Sequence, residues 1–314
     1  EREKMSPKKI CTLLVSAALC FTLAGCATSG TSSEKGSIQY KYEEQTVTMK
    51  AQPKRVVTLT APLLNMAYSV GGTSVARPVT TSPIPPEAES LPSICTIQHI
   101  NMETLVGMKP DFVIGEKSHD AKLESLLQSN KIPYILINYD GIKDNVPLLE
   151  FMGQVYGKED AAKKIVADYN NKMSDIEKKA SAETPARVAV LMATGKSITA
   201  ETPESICASM VELLKMNNVV VSHKNINLNG KTVPYSLEQL TADDPDIIFV
   251  VTMGNADEIN KKMDEDMRSN PAWNHLKAVE NHKVFFLPSD LFLLNPGVRT
   301  PEAMEKLYDL AYNG

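Results

Sequence analysis

Between residues 55 and 138 the chain alternates short unbroken apolar runs with amphipathic ones. Arg55-Val-Val-Thr-Leu59 predicts a strand, and Leu63 to Val70 a helix stopped by Gly71-Gly72. Val75 to Thr80 predicts a second strand, and the proline-rich stretch Ser82 to Pro92 a surface connection. A helix over Met102 to Met108 and a strand in Lys109-Pro-Asp-Phe-Val-Ile-Gly115 follow, then a helix over Ala121 to Ser129 and a strand over Ile132 to Asn138. Strands that are apolar at consecutive positions are buried on both faces, which points to parallel sheet covered by helices. From Glu159 to Ala182 the period changes. Ala162, Ile165, Val166, Tyr169, Met173 and Ile176 recur at three- and four-residue steps, with lysines and acids between them. That pattern predicts one long amphipathic helix. After Pro185 the alternation restarts at Arg187-Val-Ala-Val-Leu191.

The restart is a repeat. Glu103-Thr-Leu105 with Pro110-Asp111 recurs as Glu238-Gln-Leu240 with Pro245-Asp246, offset by 135 residues. Arg55-Val-Val-Thr-Leu59 and Arg187-Val-Ala-Val-Leu191 are offset by 132. Two matched pairs at nearly equal offsets predict duplicated α/β lobes, with the long helix as the bridge between them. A length of 314 residues suits two such cores.

The N-terminal residues differ in character. Lys8 and Lys9 precede an apolar run from Ile10 to Ala24, too short for a spanning helix and suited to a signal-peptide core, with Met5 as the natural start. The run ends in Leu23-Ala24-Gly25-Cys26, which resembles the lipobox of bacterial lipoproteins, and a Ser/Thr/Gly tether follows. That resemblance implies a lipidated Cys26, an exported chain and a membrane attachment through lipid on the outer face. Loss of residues 1–25 leaves 29 of the 33 basic and 36 of the 38 acidic residues, a net charge of −7. With no basic tract or aromatic-basic ladder, nucleic acid is excluded as a partner. The remaining Cys95 and Cys207 fall in different predicted lobes and are read as separate thiols. The expected division is signal peptide 1–25, lipidated Cys and tether 26–41, N-terminal lobe 42–150, interlobe helix 151–185 and C-terminal lobe 186–314.

Several phrases, in order, carry a further resemblance. They are Pro53-Lys-Arg-Val-Val57, Leu105 to Gly115, Ser236-Leu-Glu-Gln-Leu240 with Pro245-Asp-Ile-Ile248, and Asn270-Pro-Ala-Trp273 followed by Ala278 to Phe285. Together they resemble the helical-backbone substrate-binding proteins of ABC importers for iron complexes and cobalamin. The resemblance implies two Rossmann-like lobes with parallel sheets, one long interlobe helix and a ligand cleft between the lobes. It also implies a monomer that performs no chemistry and passes a small-molecule iron complex to an ABC permease with its ATPase. Val190 to Lys196 with Glu204-Ser-Ile206, and Thr252 to Glu258, look most like the haem-binding lipoproteins of Gram-positive iron-regulated surface systems.

In haem-binding members the axial ligands come from cleft-facing loops at strand ends, which here hold Gln98, His99 and Met253. Histidine and methionine are both competent axial ligands for haem iron. His119 is the rival donor of the first lobe, whereas His223, His275 and His282 are read as surface residues in connections. Arg77 and Lys196 could meet two propionates, and the five arginines of the mature chain are few for a polyanionic catecholate siderophore. The resemblance implies that such a haem is cargo, not a prosthetic group. For permease docking the first-lobe acid of the family is missing near Asn65, and Glu212 lies within a turn of the second-lobe position. A siderophore or cobalamin receptor is the alternative within the family. A free metal-ion receptor is short of histidines, and a chelatase-like enzyme lacks the catalytic signatures.

Overall fold

The computed structural model describes residues 36–95, 100–223 and 228–314. The first lobe opens with an antiparallel hairpin, β1 (Ile38–Tyr42) and β2 (Gln45–Met49). After β3 (Val56–Thr58) come α1 (Ala61–Ser69), then β4 (Arg77–Pro78) and β5 (Ser93–Cys95), which pair with each other. The helix α2 (Met102–Gly107) leads into β6 (Phe112–Glu116), α3 (Lys117–Asp120), α4 (Glu124–Ser129) and β7 (Tyr134–Ile137). The central sheet is parallel with order β3-β6-β7.

Every residue of β6 is buried, as its unbroken apolar run predicts. Its side chains alternate between two cores: Phe112 and Ile114 join one, and Val113 joins the other. Val56 and Val57 of β3 divide in the same way.

Two helices follow, α5 (Asn145–Tyr156) and α6 (Glu159–Ser181). Gly157 stops α5 in the left-handed conformation, φ 61°. A Cβ at Gly153 would lie 2.6 Å from the Cβ of Ala162, so this glycine lets the two helices approach closely. At 1.5 Å per residue α6 is about 34 Å long. It serves both lobes: Ala162 is buried in the first-lobe core, and Tyr169, Met173, Ile176 and Ala180 in a core of the second.

The second lobe comprises β8 (Arg187–Thr194), β9 (Ile198–Glu201), α7 (Ile206–Leu213), β10 (Asn217–Asn218), β11 (Thr232–Val233) and α8 (Leu237–Asp243). It continues with β12 (Ile247–Met253), α9 (Ala256–Ser269), α10 (Pro271–Asn274) and α11 (Lys277–Glu280). The chain closes with β13 (Val284–Leu287), α12 (Ser289–Phe292) and α13 (Thr300–Tyr312). The sheet order is β11-β9-β8-β12-β13, with β10 beside β8. Here too alternate residues face opposite cores, Val188 and Val190 against Ala189 and Leu191.

Several expectations are corrected. The second strand shrinks from Val75–Thr80 to Arg77–Pro78, because Pro78 has no N–H to continue a ladder. Residues 38–41, read as tether, belong to β1, where Tyr40 packs on Phe112. Residues 151–156, assigned to the interlobe helix, lie in α5, and only Glu159–Ser181 form the bridge. The second sheet is not wholly parallel, since β9 and β11 add an antiparallel edge. Among the described residues no helix is long and apolar enough to cross a membrane.

Candidate functional site

The ends of the first-lobe strands meet the second lobe around a cavity of about 80 Å³. Thr60 follows β3, Val79 and Thr80 follow β4, Glu116 ends β6 and His119 follows it, and Tyr139 and Asp140 follow β7. Ile206, Lys231 and Leu293 to Asn295 face them from the second lobe. This is the crevice at the carboxyl ends of parallel strands where open α/β folds take ligands.

Glu116 is the central charge of the first-lobe wall. Burial pushes its carboxyl up to about 7, against the opposing effect of the Thr60 hydroxyl, which donates to Oε1. The Glu116 backbone N–H donates to Asp120 Oδ2 at 2.8 Å, and burial raises that carboxyl as well. His119 Nε2 stands 4.0 Å from Glu116 Oε2 with 43% of its side chain exposed, so a ring donor is available at the cleft. Tyr139 turns its hydroxyl away from the solvent and donates to Asn145 Oδ1 at 2.8 Å.

Two contacts close the crevice. Lys231 Nζ lies 3.2 Å from Asp140 Oδ1, and Asn295 Nδ2 donates to the Gly141 carbonyl at 2.8 Å. Lys231 is aimed by its neighbours: Thr202 N–H donates to the Lys231 carbonyl at 3.0 Å, and the Thr202 hydroxyl to the Gly230 carbonyl at 2.6 Å. Both partners of the ion pair are more than half exposed, so the pair is worth less than about 1 kcal/mol and opens at little cost. An 80 Å³ space is small beside the 300–1,000 Å³ of ordinary ligand pockets. A sizeable ligand therefore enters only when the lobes part.

The predicted ligand residues do not all converge here. Gln98 and His99 lie outside the described residues, as does Cys26. His119 lines the crevice. Arg77 donates from Nε to the Glu89 carbonyl at 3.1 Å and from Nη1 to the Pro78 carbonyl at 3.4 Å, so it braces the proline-rich connection. Lys196 sits on the β8–β9 turn and lines a different cavity, inside the second lobe. The pairing of Arg77 with Lys196 across one ligand is thus not supported by their surroundings. Met253 ends β12, is 53% exposed and stands opposite Thr194 of β8, beside the Lys196 turn. Glu212 is exposed on α7.

The other arginines are engaged elsewhere. Arg55 donates to the Met108 and Lys109 carbonyls, Arg187 to the Asp243 carbonyl, Arg268 pairs with Asp264, and Arg299 with Asp290 and Glu302. His223, read as a surface residue, is 30% exposed and places its Nε2 2.6 Å from Asp243 Oδ2, beside the ring of Tyr235. Cys207 is a free, fully buried thiol.

Sequence reasoning missed Glu116 and Lys231. Glu116 had a signal, a carboxylate ending a fully apolar strand at its carboxyl end. Lys231 had none, since it meets Asp140 across 91 residues of chain.

Comparison with known proteins agrees with this architecture. Residues 56–291 match the periplasmic binding protein family, and the chain belongs to that family. It is 24% identical over 259 residues to the high-affinity heme uptake system protein IsdE of Staphylococcus aureus, covering 82% of this chain and 87% of that one. The structure of S. aureus IsdE complexed with heme superposes with a TM-score of 0.71, covering 82% of this chain and 98% of that one at 24% identity. An ABC transporter substrate-binding protein from Listeria monocytogenes EGD-e gives 0.72 at 21% identity, covering 84% and 100%. The periplasmic vitamin B12 binding protein BtuF of Vibrio cholerae gives 0.65 at 18%, covering 83% and 97%. Proteins of this family are extracytoplasmic and work with an ABC permease and its ATPase, and haem in the relatives that bind it is cargo rather than a prosthetic group.

Proposed function

We propose that this chain is a lipid-anchored, monomeric haem receptor that captures haem between its lobes and delivers it to an ABC importer, without enzymatic activity of its own. The observation that carries this reading is the crevice itself: among the described residues it offers an imidazole, His119, and one lysine, Lys231, but no arginine lines it. A catecholate siderophore needs several cationic partners, whereas a haem needs axial donors and little charge. The likeness to a haem uptake protein supports the same cargo.

In this reading His99 and Met253 hold the iron from the two lobes, with Gln98 beside His99 and His119 as the alternative first-lobe donor. Lys231 replaces Arg77 and Lys196 as the partner of a propionate. Cys26 carries the lipid, and Glu212 faces the permease. A free metal-ion receptor is disfavoured, because among the described residues no three His, Cys, Asp or Glu side chains could hold an ion.

A melting comparison tests the cargo. A ligand that binds only the folded state at 100 times its dissociation constant stabilises by about 2.7 kcal/mol. Haemin at that excess is expected to raise the melting midpoint by roughly 5 °C, with cyanocobalamin and a ferric catecholate leaving it unchanged. A rise with cyanocobalamin or the siderophore, and none with haemin, transfers the proposal to that cargo.

A further inference from the structure

We infer that the second lobe carries its own binding site, separate from the interlobe crevice, for an amphiphile with a compact apolar body and a single acidic head. A cavity of about 480 Å³ lies between the β8–β9 turn and the helices α8, α9 and α10. Its volume is six times that of the crevice and within the range of small-molecule sites. Among the described residues its walls belong wholly to the second lobe.

The floor is apolar. Leu191 and Ala193 come from β8, Leu240 from α8, Ile259 and Met263 from α9, and Trp273 from α10. Tyr235 adds a ring wall, because its hydroxyl is taken by Asp243. Such a floor suits an aromatic or branched body.

Four charges stand at the mouth. Glu258, Lys262 and Asp266 follow at four-residue steps along α9, so Lys262 is flanked by two carboxylates on its own helix. Lys196 stands across from them on the turn, and among the described residues its ammonium has no ion-pair partner. The turn that presents it is ordered: Thr194 Oγ1 accepts from the backbone N–H groups of Lys196 at 3.2 Å and Ser197 at 3.0 Å. An unpaired cation on an ordered turn, beside an apolar floor, selects one anionic head, and the acids of α9 disfavour a second. This inference stands whether or not the crevice takes haem.

Trp273 lines the cavity and is the single tryptophan of the chain, so its emission reports on the site directly. The probe is 8-anilinonaphthalene-1-sulfonate, titrated into the full-length protein under tryptophan excitation. The expected result is saturable quenching of Trp273 with matching energy transfer to one bound probe. The uncharged relative N-phenyl-1-naphthylamine is expected to bind about tenfold more weakly, the effect of one charge–charge contact in a partly screened setting. Lys196→Glu, a change on an exposed turn, should remove that preference and Lys196→Arg should keep it. Absence of saturable quenching overturns the site. Equal affinity for both probes, or wild-type affinity in Lys196→Glu, overturns the acidic head.

Discussion

Asn145→Ala is expected to lower the free energy of unfolding by about 4 kcal/mol, three or four buried hydrogen bonds at 1 to 1.5 each. Asn145 is wholly buried at the start of α5, where the two lobes and the bridging helix come together. Its Oδ1 accepts from the Tyr139 hydroxyl at 2.8 Å. Its amide donates toward Tyr169 Oη and the Gly297 carbonyl, each at 3.2 Å, and toward Thr300 Oγ1 at 2.9 Å. Those partners sit after β7, on α6, and on the return of the second lobe, so one side chain ties three parts of the fold. Alanine removes the amide from the Tyr139 and Tyr169 hydroxyls, while the Gly297 carbonyl keeps the Thr300 hydroxyl as its donor at 2.7 Å, and buried groups left unpaired cost more than the bonds gained. Urea unfolding with an unchanged slope and a midpoint reduced to match is the expected record. A loss under about 1 kcal/mol, the value of a single bond, would show that the network is not what joins the lobes.

Stability should also fall as pH rises from about 4.5 to about 7, through two carboxyls. Glu116 and Glu201 are both buried, and burial pushes each up to about 7 from the ordinary 4.5. For Glu201 the Ser205 hydroxyl donates to Oε2 at 2.6 Å and opposes the rise, but among the described residues Oε1 has no partner. In this window the folded chain binds more protons than the unfolded one, so stability is full below 4.5 and is lost as pH passes 7. Each unit corresponds to about 1.4 kcal/mol, so each carboxyl removes about 3 kcal/mol by pH 8. Glu201→Gln and Glu116→Gln are therefore expected to stabilise the protein by about that amount at pH 8 and by little at pH 4. Thermal melts at the two pH values check it. A variant equally stable relative to wild type at both would place an ordinary carboxyl at that position.

The long helix was legible because Ala162 to Ile176 keep a helical apolar period through about four turns, and burial in both cores maintains it. The strands β6, β8 and β12 were legible because burial on both faces demands unbroken apolar runs. The β1–β2 hairpin was not. Its inward side chains in β1 are only Tyr40 and Tyr42, set among charged and polar residues, and they matter through Phe112 and Phe151 far along the chain. The antiparallel edge strands β9 and β11 are four and two residues long and carry too little pattern to be seen. At the site, His119 lines the crevice because strand-end segments converge there by topology. The surroundings of Arg77 and Lys196 were not legible, because the partners of a long cationic side chain depend on carbonyls and cavities that spacing does not encode.

The central claim is that one haem binds per chain between the lobes. Titration of the purified protein with haemin, followed in the Soret band, tests it most directly. The account predicts a sharp red-shifted band that saturates at one haemin per chain, with loss of the six-coordinate spectrum in His99→Ala or, if the alternative donor serves, in His119→Ala. A titration with no saturable spectral change, alongside saturable binding of cyanocobalamin or a ferric siderophore, would contradict it.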